Sequence, residues 1–174
     1  MPQPASPPAN LARRGRGRDG PGSSGPDGRY GRYGLGVTPN IPTADDVNRM
    51  VSELFAGSNN TCADLGPGFA VARREVSDDE LRPGGFVSGP SQFGLADAAL
   101  WYLVFAAIGR IEPMALTSEL SIRFLRPAQG SVLWARATLE SAGRRNVVGS
   151  VHVWCDDRSD KPSATAQGTY ALPL

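Results

Sequence analysis

Four segments in the second half of the chain alternate apolar and polar residues with a period of two. They span residues 116–124, 132–139, 147–155 and 163–172. This alternation is typical of strands that bury one face, and the Gly, Pro, Asn and Asp residues between the segments favour turns. The pattern therefore predicts a half-buried, mainly antiparallel sheet. In the first strand, Leu120, Ile122 and Phe124 share one predicted face and Thr117 lies on the other, with Ser118 interrupting the apolar series.

A continuous apolar stretch precedes these strands. Residues 93–108 contain one charged side chain, Asp97, and no proline. A helix that is apolar on all faces, yet shorter than the roughly twenty residues of a membrane span, is typical of a buried core helix. Pro90 fits the first helical position and Gly89 the N-cap, so the first turn offers free N–H groups to a carbonyl oxygen or an anion.

Asp97 is the residue in this helix that calls for an explanation. A buried carboxylate costs free energy unless it is hydrogen-bonded or protonated. A general base or nucleophile in a mostly apolar site fits that position. The alternative is a structural carboxylate that bonds to nearby backbone.

Residues 41–80 predict two further elements. Thr43 is a plausible N-cap for a helix over residues 41–57, whose apolar positions recur at helical spacing. Residues 60–76 predict a hairpin around a Gly-Pro-Gly turn, and residues 81–87 predict a loop that leads into the central helix. The order of helix, hairpin, long helix and four strands predicts an α+β architecture, with residues 41–174 forming one domain.

Residues 1–40 differ in composition from the rest of the chain. They are rich in Pro, Gly, Ser and Arg, with six arginines against two aspartates, and they predict a disordered tail. RNA or an acidic surface would suit such a tail, but a solvated, dispensable segment or one read from a misassigned start is the simpler interpretation. The remaining residues carry twelve basic and fifteen acidic side chains, so the folded domain is not expected to bind nucleic acid.

The two cysteines, Cys62 and Cys155, form no disulfide framework, which favours a reducing compartment. The N-terminal residues contain no apolar run typical of a signal peptide, and no spanning segment is expected. A cytoplasmic protein without membrane contact is therefore the expectation. We find no metal-ligand spacing, no phosphate-binding loop and no Ser/His/Asp arrangement, and we expect neither a metal nor a cofactor.

Several segments, taken in order, resemble a known family. They are the apolar helix with Leu95-Ala96-Asp97, the segment 117–128 (TSELSIRFLRPA), a strand that leads to Gly143-Arg144-Arg145, and the final segment AQGTYALP. The chain resembles the PaaI-type acyl-CoA thioesterases of the 4-hydroxybenzoyl-CoA thioesterase superfamily over roughly residues 60–173. The resemblance implies a hotdog fold, in which a curved antiparallel sheet wraps around one long central helix. It also implies acyl-CoA hydrolysis at a site between two subunits of a homodimer, often paired into a tetramer.

Site residues carry over from this resemblance position by position. Family members typically have His-Gly-Gly followed seven residues later by an acid; here Ser88, Gly89 and Pro90 stand at the triplet and Asp97 at the acid. The resemblance makes Asp97 the nucleophile or general base and Gly89 the donor that polarises the thioester carbonyl. Thr117 stands where many relatives have a Ser or Thr, and it would orient the attacking water.

The substrate-binding candidates are Ser88, at the family's His, and a set of arginines. Arg82 stands where some relatives use an Asn to bind the carbonyl. Arg126, Arg144 and Arg145 suit the phosphates of coenzyme A, because guanidinium groups bind phosphate oxygens in pairs; the alternative for each is a solvated charge.

Three questions stay open at this level. Trp101, Tyr102 and Phe105 fit either an acyl pocket or ordinary core packing. The domain fits either a thioesterase or a non-catalytic module that binds an acyl-CoA as sensor or scaffold. Hydration of enoyl-CoA, a second hotdog chemistry, would want an Asp/His pair near the helix start, and the single histidine, His152, lies far downstream.

Overall fold

A computed structural model describes residues 40–173, which belong to one compact unit. The predicted tail lies outside the described residues apart from Asn40. The elements, in chain order, are α1 (Ala44–Leu54), β1 (Thr61–Gly66), β2 (Phe69–Glu75), β3 (Leu81–Arg82), β4 (Phe86–Val87), α2 (Gly89–Ile108), β5 (Leu116–Phe124), β6 (Val132–Ala142), β7 (Asn146–Cys155) and β8 (Ala164–Ala171).

Six strands form one antiparallel sheet in the order β1-β2-β6-β7-β8-β5. The sheet packs around α2, whose apolar side chains meet the inward-facing residues of β2, β6, β7 and β8 in the core. This is the predicted α+β arrangement, a hotdog fold. By length and composition alone α2 could cross a membrane, but most of it is buried against the sheet.

The start of α2 differs by one residue from the sequence prediction. Ser88, not Gly89, is the N-cap, because its Oγ accepts a hydrogen bond from the backbone N–H of Ser91 at 3.3 Å. Gly89 and Pro90 consequently occupy the first two helical positions. The helix ends at Ile108, and its C-cap is Gly109, whose φ of 71° is a left-handed conformation that glycine adopts without a steric penalty.

The predicted face of Thr117 was wrong, because β5 contains a β-bulge. Thr117 pairs with Tyr170 and Glu119 pairs with Thr169, which leaves Ser118 as an extra residue on β5. Its hydroxyl donates to the Thr169 carbonyl at 3.0 Å. One inserted residue inverts the alternation of a strand, so Thr117 points inward, toward α2.

Helix α1 lies against the β1–β2 hairpin. Its N-cap Thr43 forms a reciprocal capping box with Asp46, as the sequence suggested for Thr43. Asn48 fixes the helix to β1 through two hydrogen bonds with the backbone of Cys62, at 2.8 and 2.9 Å. The segment predicted as a loop, residues 81–87, contains the short antiparallel pair β3 and β4.

Candidate active site

The Asp97 carboxylate is held by two hydroxyl groups that both donate to the same oxygen. Thr117 Oγ1 and Tyr170 Oη each lie 2.8 Å from Asp97 Oδ1. Tyr170 Oη also lies 3.1 Å from the Asp97 carbonyl oxygen. Among the described residues no donor is bonded to Oδ2. The second carboxylate oxygen is therefore available to a bound molecule.

Tyr170 is the member of this cluster that the sequence did not reveal. Burial raises the pKa of its phenol, and the neighbouring charge of Asp97 raises it further. The hydroxyl therefore stays protonated and acts as a donor at every ordinary pH. In the sequence, Tyr170 lies on the predicted apolar face of the last strand. That pattern predicts burial of the ring but gives no indication that the hydroxyl bonds to another side chain.

A cavity of about 370 Å³ opens beside the carboxylate. Asp97, Thr117 and Tyr170 line it together with two polar residues of the loop after α1, Ser58 and Asn60. The rest of the lining is Gly94 together with apolar and aromatic residues from α1 and its C-cap, α2, the segment before β5 and the start of β5: Val51, Phe55, Ala98, Trp101, Tyr102, Pro113, Ala115 and Leu116. A mostly apolar pocket with a few convergent polar groups is the usual form of a small-molecule site.

The start of α2 rests on a buried ion pair. Arg74 Nη1 lies 2.5 Å from Glu80 Oε1, and both side chains are largely buried. Burial pushes the pKa of Glu80 upward, but hydrogen bonds from Ser77 and the Arg74 charge outweigh it and hold that pKa below its usual range. Because the Glu80 carbonyl accepts the N–H of Ser88 at 2.9 Å, this pair fixes the residue that precedes Gly89.

Gly89 lies on a shallow pocket separate from the Asp97 cavity. Phe124 and Arg126 share that pocket, and a Cβ at Gly89 would lie 3.2 Å from the Phe124 ring. The N–H at this first helical position has no partner within the helix, because the first N–H groups of a helix never do. A carbonyl oxygen at this pocket would find a free donor.

The candidate arginines divide between the two ends of the sheet. Arg126 is exposed beside Gly89, and Arg82 is exposed on β3, opposite Phe86. Arg144 and Arg145 are exposed in the β6–β7 turn, where the Arg145 carbonyl accepts the N–H of Leu172. That turn lies at the end of the sheet where β5 begins. The roles suggested for these residues, carbonyl binding for Arg82 and phosphate binding for the other three, stay predictions.

Among residues 40–173 no group of three or more His, Cys, Asp or Glu side chains is placed to hold a metal ion. His152 is exposed on β7 and pairs with Arg136 and Thr165 across the sheet. Asp97 and its two hydroxyl partners form a group of polar side chains on the wall of the mostly apolar cavity.

Comparison with known proteins places the chain in a family. The sequence model of the thioesterase superfamily matches residues 84–161. A solved structure from Silicibacter sp. TM1040, provisionally assigned as a thioesterase, is 31% identical, with 78% of this chain and 96% of that chain covered and a TM-score of 0.67. No curated protein matches the sequence.

Two more distant structures share the fold. A thioesterase from Haemophilus influenzae is 18% identical over 78% of this chain and 93% of that chain, with a TM-score of 0.65. The PaaI protein of the phenylacetic acid degradation operon of E. coli is 23% identical over 75% and 88%, with a TM-score of 0.58. The chain belongs to the thioesterase superfamily. Its reaction class is the hydrolysis of a small-molecule thioester.

Proposed function

We propose that the protein hydrolyses an acyl-CoA thioester, with Asp97 as its catalytic carboxylate. The observation that carries the proposal is the asymmetry of that carboxylate. Both hydroxyl donors bind Oδ1, while Oδ2 is left without a donor among the described residues and borders an apolar cavity. An anchored carboxylate with one free oxygen suits a general base or a nucleophile.

The chemistry follows from these positions. The thioester carbonyl oxygen accepts the Gly89 N–H, which stabilises the charge that develops on it. Asp97 Oδ2 takes a proton from water as the water oxygen attacks the carbonyl carbon; the C–S bond then breaks, and the departing thiolate receives the proton. In the nucleophilic variant Oδ2 attacks first and water hydrolyses the resulting anhydride. Because the Thr117 hydroxyl donates its proton to Oδ1, its oxygen accepts a hydrogen bond from the attacking water and so orients it. No metal or cofactor takes part.

Two protomers are needed to assemble this site. Gly89 and Asp97 are eight residues apart on one helix, about 12 Å along its axis at 1.5 Å per residue. One carbonyl group cannot touch both within a single chain, so the proposal requires a homodimer in which Gly89 of one protomer faces Asp97 of the other. Edge strand β5 supports it, because large apolar side chains are exposed on and beside it: Met114, Leu116, Phe124 and Leu125.

The arginines complete the proposed substrate site. Exposed guanidinium groups at both ends of the sheet, Arg82 and Arg126 at one and Arg144 and Arg145 at the other, supply the charge that the phosphates of coenzyme A require.

The proposed location is the cytoplasm. Both cysteines are free and buried, and burial raises the pKa of the Cys62 thiol to about 12, which keeps it unreactive.

The test is thiol release from a panel of acyl-CoA esters, from acetyl to palmitoyl with benzoyl and phenylacetyl. Asp97→Asn keeps the side-chain shape and removes the base, so kcat should fall on the order of a hundredfold or more. Asp157→Asn is the matched control, because Asp157 is exposed on the outer face of the sheet, away from the cavity.

Equal activity of Asp97→Asn and wild type would refute the catalytic assignment. If no ester is hydrolysed but several bind, the domain is a non-catalytic acyl-CoA module instead. The substrate with the highest kcat/KM defines the acyl group.

A further inference from the structure

The cavity beside Asp97 ends in a cluster of aromatic rings. Trp101 lies one helical turn beyond Asp97 on the same side of α2. The ring of Phe55 meets it edge-on at a centroid distance of 5.3 Å, and the ring of Phe105 does so at 5.0 Å from another side. Edge-to-face contacts between aromatic rings are favourable beyond the burial of their area. The rings therefore form a defined floor.

The indole N–H of Trp101 is enclosed by protein. Its Nε1 is buried and has no hydrogen-bond partner in the described part of the chain. Protein atoms therefore surround this edge of the indole, and the cavity does not extend past it.

Phe55 reaches the floor from outside the matched thioesterase region. That region spans residues 84–161, whereas Phe55 is the C-cap of α1. Burial of Val47 and Val51 and the paired hydrogen bonds of Asn48 fix α1 in place. The position of the Phe55 ring is thus set by an N-terminal helix that can vary without any change in the catalytic residues.

We propose that Phe55 is the specificity-determining residue for acyl length, its ring closing the acyl pocket against Trp101. The inference rests on the proposed function, since it takes the cavity beside Asp97 as the acyl site. The distance from Asp97 to Trp101 is one turn of helix, about 6 Å along the axis. Short or compact acyl groups fit in that depth, and longer chains must displace the Phe55 ring.

The exposure of Phe55 makes it the movable part of the floor. Its side chain is 46% exposed, whereas Phe105 is fully buried. Removing the Phe55 ring therefore opens the pocket to solvent without creating a cavity in the core. Leu54 offers a matched control, because it is adjacent and 58% exposed but does not line the cavity.

The experiment measures binding of acyl-CoA thioether analogues, from acetyl to palmitoyl, by calorimetry. The analogues are not hydrolysed, so the result does not depend on turnover. In wild type, Kd should fall about fourfold for each added methylene that is buried and stop falling at a limiting length. Phe55→Ala should move that limit to longer chains and Phe55→Trp to shorter ones, while Leu54→Ala leaves it unchanged.

The same limiting length in Phe55→Ala and wild type would overturn the proposal, and so would an equal change in Leu54→Ala. Failure of every analogue to bind would overturn it together with the acyl-CoA function. A shifted limit with no turnover of the corresponding esters would uphold the role of Phe55 and remove only the catalytic role of Asp97.

Discussion

The Asp97 carboxylate stands between two alanines, Ala96 and Ala98, on a helix that is otherwise apolar over its last three turns. A carboxylate is tolerated there because two hydroxyl groups donate to it and because it is only partly buried. A purely structural carboxylate in such a helix would be expected to satisfy both oxygens. Here only one of them accepts a hydrogen bond from residues 40–173, which is the physical reason for assigning the carboxylate a chemical role.

The variant Tyr170→Phe tests the contribution of the Tyr170 hydroxyl separately from that of the packed ring. The variant keeps the ring and removes one donor from the ionised carboxylate. A hydrogen bond to a charged group is worth about 1.5–3 kcal/mol, so kcat should fall about tenfold or more. The loss of this donor also leaves the carboxylate held by Thr117 alone. Steady-state kinetics of Tyr170→Phe and wild type with the best ester check this.

Tyr102→Phe is the control for that measurement. Tyr102 also lines the cavity and burial also raises the pKa of its phenol, but its hydroxyl is not bonded to Asp97. Its kcat should stay much closer to that of wild type. An equal loss of kcat in both variants, or none in Tyr170→Phe, would show that Tyr170 contributes packing alone.

At the scale of the elements, alternation and helical spacing were enough to predict α1, the hairpin, the central helix and the four later strands. They did not predict the bulge at Ser118, because the interruption of the apolar series by one polar residue does not by itself distinguish an inserted residue from a polar side chain on the buried face. The bulge brings Thr117 to Asp97. The family resemblance therefore gave Thr117 as a candidate site residue, whereas the alternation along the strand predicted that its side chain lies on the opposite face from Asp97.

The helix start illustrates a second limit. Ser88 and Gly89 are both acceptable N-caps by residue type. A hydrogen bond between Ser88 Oγ and the Ser91 N–H decides between them, together with the 2.8 Å contact of the two serine hydroxyls. Contacts of this kind are visible only in three dimensions. The same holds for Tyr170, whose partner lies 73 residues away in the chain.

Close packing of α2 on β8 leads to a stability prediction at Gly168. A Cβ there would lie 2.8 Å from the Glu119 carbonyl oxygen and 2.8 Å from the Leu100 side chain. Since the first contact is with backbone, Gly168→Ala forces the strands or the helix apart. Overpacking of this kind costs about 1–3 kcal/mol, so the melting temperature should fall by several degrees.

Gly143→Ala is the comparison for Gly168→Ala. Gly143 lies in the β6–β7 turn, where a Cβ would meet nothing closer than the Asn146 carbonyl oxygen at 3.7 Å. Its free energy of unfolding should stay within about 0.5 kcal/mol of wild type. Equal melting temperatures for wild type and Gly168→Ala would mean that α2 and β8 are less tightly packed than the structure describes.

At the scale of the whole molecule, the proposed site exists only if two chains share it. A pair of inactive variants tests this, because each would lack a different one of the two groups that form the site, the Gly89 N–H or the Asp97 carboxylate. Gly89→Pro removes the N–H at a helical position where proline is well tolerated, and the extended ψ of 153° at Ser88 suits a residue before proline. Asp97→Ala removes the carboxylate. Gly89→Ala is the control that keeps the N–H.

Coexpression of Gly89→Pro with Asp97→Ala should restore activity that neither has alone. In a mixed dimer one site receives Gly89 from the Asp97→Ala chain and Asp97 from the Gly89→Pro chain, while the other site receives neither. Random pairing makes about half of the dimers mixed, each with one working site of two. The mixture should therefore show about a quarter of wild-type activity. If Gly89 and Asp97 of the same chain served one substrate, no mixed dimer would hold a complete site and the mixture would stay inactive.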